Sequence, residues 1–587
     1  MYSYNNYNTF IKDYQDGKIS FPYRRLTKTN AEIKKMFTNL KNVNFNDNKI
    51  IEQYYKIFNI KIPSNKLIFI DTPMLLINYN TDYVKYNISD MFQEQNRMKC
   101  KFFSAISSPA EYFDVNLKKI AISTLKKGPI TPITLREEVY LSVKECSPFK
   151  PTNMIYIIKL FNVKSVLDPS SGWGDRLIAA MSMNIRYVGV DPNTELHPIY
   201  NEMIEFFIPK KNRHKYLMID DTIQDAKLPN EKFDLVFTSP PYFKIEQYNN
   251  RGRVKDVNED EWFNNFMKPM INKTSDKLNE GGHLVLVINQ LPHEHYIQKM
   301  IDYIYYNKKN LHYLGVIGYV NESMVNPQPM WIWKNSKTIP TILYNPPISI
   351  KHYEFNKIKF HVFNDDKLIG GTKQRALVPL LENIKKQKFI YAGPVQGYAQ
   401  VALAYTAELT HKTAVLFLEK KTPRTDITKL ALTFKNVELH EIENGYLKKL
   451  QECAEVYHKN NPNSYLISFG GNEPLYTKEL EKNMMIAIPP VKPKRIWIVA
   501  GSGVVLNALY KIFPKAQFMA VQVGKKIYPD QINNRTTLFI SDEKFIDVAI
   551  EQPPYPTVKT YDAKLWHFFK IHGKNGDYIY NIAKDPN

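Results

Sequence analysis

The sequence predicts an α/β protein, with two successive strand-and-helix domains behind a mostly helical amino-terminal region. Three observations predict it. From about Ala110 to Lys337, short apolar runs alternate with amphipathic stretches, the pattern of strands interleaved with helices. A proline-bearing stretch, TIPTILYNPPISI at 338–350, breaks that pattern and reads as a linker. From His352 onward a second strand-and-helix pattern begins. The expected organisation is therefore a basic, mostly helical accessory region over 1–110, an α/β domain over 111–337, a linker over 338–350 and a second α/β domain over 351–587. There is no internal repeat and no long low-complexity tract.

Composition bounds the answer. The chain has 587 residues, enough for several domains at roughly 100–200 residues each. Hydrophobic residues make up 44% and charged residues 23%, which is ordinary globular usage and excludes wholesale disorder. Cys100, Cys146 and Cys453 are the only cysteines. That count excludes a disulfide scaffold, fits a reducing compartment and leaves no zinc-ligand cluster. No run reaches the ~18 apolar residues of a membrane span. The first residues, MYSYNNYNTFIKDYQDGK, lack the apolar core of a signal peptide. The expectation is a cytoplasmic protein, neither secreted nor membrane-bound.

Lys and Arg number 79 against 58 Asp and Glu, a formal charge of +21. A polyanionic partner would explain it. So would an AT-rich genome, since Asn, Lys, Ile and Tyr are abundant throughout. The charge is uneven: residues 1–150 carry +9, residues 151–350 carry +1 and residues 351–587 carry +11.

Within the first α/β domain, Ser165–Arg176 (SVLDPSSGWGDR) reads as a strand entering a glycine turn, followed by a helical LIAAMSM. Gly172 and Gly174 allow a ligand close to the backbone at the carboxyl end of the strand. Asp168 can accept a hydrogen bond from an ammonium, directly or through water. A second strand, Arg186–Asp191, ends in an acid placed to hold a ribose diol. These features suit any Rossmann-like fold, and a tight turn alone would account for the glycines.

The third element is more specific. Phe233–Tyr242 (FDLVFTSPPY) is a strand ending in Ser239-Pro240-Pro241-Tyr242. Two prolines remove N–H donors, so carbonyls face the pocket unopposed. With the Ser239 hydroxyl they can accept hydrogen bonds from an exocyclic amine and aim its lone pair at a methyl donor. Tyr242 offers a face on which an extruded base can stack.

With these motifs in this order, residues 110–335 resemble the amino-methyltransferases that use S-adenosylmethionine, particularly phage and bacterial DNA methylases. The resemblance rests on DPSSGWGDR, YVGVDPN, FDLVFTSPPYF and GGHLVLVIN. It implies a Rossmann-like fold in which Asp168, Pro169, Gly172 and Gly174 line the cofactor and Asp191 binds its ribose. Asp221 would lie beside its adenine, while Phe149 and Pro151, in SPFKP, close over its methionine moiety. Ser239, Pro240, Pro241 and Tyr242 would be catalytic. A serine before Pro-Pro-Tyr is more usual in cytosine-type members, so the target base stays open. No cysteine sits beside a proline as a carbon-methylating enzyme would need. Downstream, Tyr248, Arg251, Arg253 and Lys255 form either a phosphate-contacting loop or an ordinary solvated one. Trp331 and Trp333 read as core or domain contact.

In the second α/β domain, Asp366–Ala376 (DKLIGGTKQRA) delivers Lys373 to a helix start through a Gly-Gly turn, where positive dipoles lower its pKa. Phe389–Gln400 and Arg495–Gly503 are strands that run into further glycine turns. This arrangement resembles fold-type II pyridoxal-phosphate enzymes, near aminocyclopropane-carboxylate deaminase and the tryptophan-synthase-like proteins. The resemblance maps the cofactor-carrying lysine onto Lys373 and the phosphate loop onto Gly501, Ser502 and Gly503. It departs where the family's Ser-Asn-His turn reads Gln396-Gly397-Tyr398. A phosphoribosyltransferase-like or purely structural α/β domain is the alternative. The tail Pro553–Trp566 carries no chemical role in this reading.

The expectation is therefore a bifunctional enzyme. It would methylate an exocyclic amine of a base, DNA more than RNA, with a pyridoxal-phosphate-like domain elaborating the base further. Phage and giant-virus chains pair such chemistries. The alternatives are an RNA methyltransferase and a viral nucleic-acid-binding or structural protein with decayed sites. In the leading reading the flanks grip the backbone, and removing residues 1–100 costs nucleic-acid binding.

Overall fold

The structure is a computed structural model that describes residues 2–42, 88–102, 105–146, 148–241, 243, 246–247, 258–319, 328–524, 526–527 and 532–586. It is a mixed α/β protein in two compact units, Met1–Thr338 and Ile339–Asn587. Among the described residues no helix is long and apolar enough to cross a membrane.

Unit 1 begins with helices α1 (Tyr7–Gln15), α2 (Asn30–Leu40), α3 (Asp90–Met98), α4 (Pro109–Lys127), α5 (Pro132–Ser142) and α6 (Pro151–Phe161). Their starts are written locally. Thr29 and Ser108 close capping boxes with Glu32 and Glu111, and Pro109, Pro132 and Pro151 occupy first turns. Helix α3 is unusual because Asp90, Gln93, Glu94 and Arg97 are all buried. Arg97 binds Asp90 through two hydrogen bonds of 2.8 Å, and Arg136 reaches Glu94 at 2.5 Å and Glu145 at 3.1 Å. Arg24 lies 3.2 Å from Asp90. Three cations and three acids thus pair with one another, with only Arg24 at the edge partly open to solvent.

Strands β1 (Ser165–Asp168), β2 (Arg186–Asp191), β3 (Tyr216–Asp220), β4 (Phe233–Thr238), β5 (Leu278–Val287), β6 (Leu311–Tyr319) and β7 (Gln328–Asn335) form one sheet. Its order is β3-β2-β1-β4-β5-β7-β6. The first five strands run parallel, and β7 is antiparallel to both neighbours. Helices α7 (Asp175–Ser182), α8 (His197–Phe207), α9 (Lys268–Ser275) and α10 (Tyr296–Asn307) accompany the strands. The core gathers Leu167, Val188, Val236, Leu284, Trp331 and Trp333. Both tryptophans are fully buried, and the Trp331 indole donates to the Ile288 carbonyl at 3.0 Å.

Unit 2 has two sheets. One orders β8 (Ile350–Phe355), β9 (Ile358–Asn364), β17 (Asp577–Asn581), β14 (Arg495–Ala500), β15 (Gln517–Gln522) and β16 (Thr536–Ile540); only the β8–β9 hairpin is antiparallel. The other is wholly parallel, in the order β12 (Val437–Ile442), β11 (Thr413–Glu419), β10 (Lys388–Ala392), β13 (Ser464–Leu466). The unit's longer helices are α11 (Gln374–Asn383), α12 (Ala399–Leu409), α13 (Leu447–Asn460), α14 (Pro474–Ala487), α15 (Val504–Ile512) and α16 (Leu565–His572). The Ala-rich α12 is buried almost throughout, which its small side chains permit.

One buried pair organises this unit. The Arg375 guanidinium donates to Asp365 at 2.6–3.2 Å. Asp365 also accepts from Thr372 at 2.8 Å and Tyr580 at 2.6 Å. Arg375→Met leaves that carboxylate without its cation; unit 2 is expected to lose about 3–5 kcal/mol, measured by urea unfolding. An unchanged midpoint would refute the pair's structural weight.

Candidate functional site

In unit 1, β1 pairs with β2 on one side and β4 on the other. The chain therefore leaves the centre of the sheet in opposite directions, and the crevice outside the strands' carboxyl ends lies at this switch point. Pro169–Gly174 forms the turn after β1, and Ser239 follows directly after β4.

The two glycines of the turn do different things. Gly172 has φ 56 and faces open space, since an added Cβ would meet only the Arg176 guanidinium at 3.9 Å. Gly174, at φ 83, starts α7, and an added Cβ would press on Met203 and Tyr200 of α8 at 3.2–3.3 Å. The first leaves room for a ligand, and the second allows helix packing.

Asp168 is fully buried. It accepts from Arg176 Nε at 2.6 Å, the Tyr187 hydroxyl at 2.7 Å and the Ser170 amide at 3.2 Å. These three bonds fix the turn from within and leave one acceptor position on Oδ1 uncommitted. Arg176 stacks over the Phe149 ring at 5.1 Å, and Phe149 meets Phe237 of β4 edge-on at 5.8 Å. Pro151 is buried at the first position of α6. The structure so brings together Phe149, Asp168, Arg176 and the end of β4.

Asp191, at the end of β2, accepts from the Gly172 amide at 2.7 Å and the Asn193 amide at 3.0 Å. Burial pushes its carboxyl up to about 6 against the pull of those amides. A diol donating two hydrogen bonds would supply what that carboxylate lacks. Asp221 stands one residue past Asp220, the cross-strand neighbour of Asp191, so it lies at the same edge of the crevice. Its carboxylate accepts from the Thr222 amide at 2.8 Å. Ser239 and Pro241 are half-buried and Pro240 is buried. The Thr238 hydroxyl is buried without a partner among the described residues. Tyr242, Tyr248, Arg251, Arg253 and Lys255 lie outside the described residues.

In unit 2, Gly371–Lys373 forms a short turn that leads into α11. At Gly370 an added Cβ would lie 2.7 Å from the Ala402 Cα, so only glycine lets the turn approach α12. Thr372 and Arg375 both bind Asp365, which pins the backbone on either side of Lys373. Among the described residues the Lys373 amine has no hydrogen-bond partner. Part of its surface is open to solvent, yet surrounding protein atoms hold its ammonium below the usual lysine range.

The charge that opposes this shift belongs to Asp562. Asp562 is buried with no side-chain hydrogen-bond partner among the described residues, and burial pushes it up to about 8 against the Ala583 amide and Lys373. The adjacent Tyr561 hydroxyl lies against Gly501. Gly501-Ser502-Gly503 connects β14 to α15, and Gly503 faces open space. Gly470 backs this turn, with its added Cβ 2.5 Å from that of Ser502. The Gln396-Gly397-Tyr398 turn lies between β10 and α12, closed by the Gly397 amide on Pro394 O at 2.8 Å.

Sequence reasoning missed Asp562, Tyr561, Gly470 and the Asp365–Arg375 pair. The acid at 365 follows a strand and was open to being read as a strand-end group. Asp562 had no signal, because its site partner lies almost two hundred residues away.

No protein-family model matches this chain, and no curated protein does. Among solved structures it is similar to an ACC deaminase homologue at 15% identity and TM-score 0.35, over 42% of this chain and 92% of that one. It is also similar to the O-acetylserine-dependent cystathionine β-synthase of Helicobacter pylori at 13% identity and TM-score 0.33, covering 42% and 95%. A hydrogen sulfide-producing enzyme of Fusobacterium nucleatum follows at 12% identity and TM-score 0.31, covering 43% and 97%.

Two predictions follow from the electrostatics. Lys373 should acylate ahead of exposed lysines at about pH 8. Asp562→Asn, which removes the charge that holds its ammonium up, should make it faster still, read by peptide mass spectrometry. In unit 1, burial raises Asp175 from 3.8 to about 7. The folded state then holds a proton that the unfolded chain releases, so stability falls as pH rises across that window. Asp175→Asn should flatten this fall in a pH series of thermal unfolding.

Proposed function

We propose that unit 1 transfers a methyl group from S-adenosylmethionine to an exocyclic amine of a nucleic-acid base, with DNA as the substrate. The observation that carries this reading is the placement of two motifs. The glycine turn after β1 and Ser239-Pro240 after β4 are neighbours across the switch point, where two parallel strands of one sheet pair. The donor supplies an electrophilic methyl when bound. Asp191 would hold its ribose, Gly172 would admit its backbone-facing edge, and Phe149 would cover its far side and exclude water. The Ser239 hydroxyl and the Ser-Pro carbonyls would accept hydrogen bonds from the amine and orient its lone pair; as the N–CH3 bond forms the S–CH3 bond breaks, and the amine's surplus proton passes to solvent. No covalent enzyme intermediate is needed.

Unit 2 reads as a pyridoxal-phosphate site. Three groups fit that cofactor: a lysine with a depressed pKa and no hydrogen-bond partner among the described residues, a buried carboxylate with no side-chain partner among them, and a glycine turn at a helix start. Lys373 would hold the cofactor, Asp562 would face its ring nitrogen, and the first amides of α15 would receive its phosphate. When bound, the cofactor supplies an electron sink. The substituent it would act on is an amino-bearing group destined for, or already on, a base.

Purified protein with methyl-labelled S-adenosylmethionine is expected to label duplex DNA. Ser239→Ala should lower kcat about a hundredfold while leaving the KM for the donor unchanged. Unlabelled DNA and RNA with wild-type protein would sink the first half. For the second, the visible absorption of bound pyridoxal phosphate should vanish in Lys373→Ala; wild-type protein that never acquires it sinks that half.

A further inference from the structure

We infer that helix α3, outside the catalytic motifs, positions the cofactor site of unit 1 by tying together the three segments that would surround the donor. The inference rests on reading those segments as a cofactor site. Its first tie runs to the glycine turn. Ser89, at the N-cap of α3, donates to Asp175 Oδ1 at 2.5 Å, and Asp175 is the first residue of α7, immediately after Gly174. The second runs to the turn after the ribose acid. Gln93 Nε2 donates to the Leu196 carbonyl at 3.3 Å, in the short 3-10 turn Thr194–Leu196 that follows Asp191. The third runs to the covering segment. Arg97 donates to the Cys146 carbonyl at 2.6 Å and lies 3.3 Å from Glu145, just before Phe149 and Pro151.

A surface helix has no reason to bury Asp90, Gln93, Glu94 and Arg97, because burying polar groups costs free energy unless each finds partners. Here the partners are the cofactor segments themselves, together with a neutralising set of arginines. The Asp90–Arg97 pair fixes the rotamer from which Arg97 reaches Cys146. Phe92 adds apolar contact, meeting Phe206 and Phe207 of α8 at 5.3 and 5.6 Å. The glycine turn, flexible by composition, is thereby held from outside as well as by Asp168 from within. Ser89, Gln93 and Arg97 are positioning residues; none of them belongs to a catalytic motif.

Hydrogen exchange on the cofactor-free full chain tests this without any activity. In Ser89→Ala, amides 171–176 should exchange about tenfold faster, as expected for one lost buried hydrogen bond. Amides of β5 and β7 should not change. In Gln93→Ala the same acceleration should appear at 194–196. Ile304→Val, in the core of α10, serves as the control and should leave both segments at wild-type rates. Exchange unchanged in Ser89→Ala, or accelerated evenly across unit 1, overturns the inference. A second arm measures S-adenosylmethionine affinity by calorimetry. Ser89→Ala should weaken it about tenfold, raising the donor KM with little change in kcat; an unaltered affinity overturns the inference. Wild-type protein that binds no donor but shows the local exchange pattern refutes the methyltransferase reading and leaves α3 as the tie between these turns.

Discussion

Both units depend on the same physical device: a buried aspartate–arginine pair that bridges a glycine turn. In unit 1 Asp168 closes β1 and Arg176 lies just inside α7, with Gly172 and Gly174 between them. In unit 2 Asp365 follows β9 and Arg375 lies just inside α11, with Gly370, Gly371 and Lys373 between them. Glycine makes each turn permissive and, by the same token, entropically costly to order. A bidentate or multiply bonded guanidinium in a low-dielectric interior is strong and directional enough to oppose that cost. The pair adds little net stability over an apolar filling, but removing one member strands a buried charge. What it contributes is a single geometry for the residues at the turn.

That device explains why other polar groups can stay unpaired. Asp562 and the Thr238 hydroxyl are buried without partners among the described residues, a condition that ordinary cores avoid. Each stands beside a turn that a clamp already holds rigid, so local rearrangement cannot rescue it. The raised carboxyls of Asp191, Asp175 and Asp562 express the cost of burial in titration, in the first two against the donors they do have. A ligand that donates to these groups recovers the free energy their burial cost, which is how a preorganised site gains affinity.

The α/β class was legible because it rests on local signals. Apolar runs such as VLFLE at 415–419 and IWIVA at 496–500 announce buried parallel strands, and glycines after them announce turns. The antiparallel insertion of β7 between β5 and β6 was not legible, because strand order is a matter of long-range pairing. The role of Asp168 in holding the turn was not legible either: the strand-end position is local, but Tyr187 and Arg176 reach its Oδ2 only once β2 and α7 are in place. Helix α3 was hidden for a different reason. Its sequence, DMFQEQNRM, reads as a solvated surface helix with a charged face, and only the positions of Arg24, Arg136 and Glu145 turn that face inward.

This changes how the charge of the amino-terminal region is to be understood. Residues 1–150 carry +9, yet Arg24, Arg97 and Arg136 are paired with Asp90, Glu94 and Glu145 and add little to that surplus. The surplus sits instead on exposed lysines such as Lys118, Lys119 and Lys126 of α4. The region therefore has two separable parts, a largely buried set of ion pairs around α3, which is tied to the turns after β1 and β2, and an exposed basic part. Removing residues 1–100 deletes α3 and leaves those three lysines, so a loss of nucleic-acid modification in such a truncation would report on the buried part. Reversing the charge of the α4 lysines, which leaves every tie from α3 intact, isolates the other.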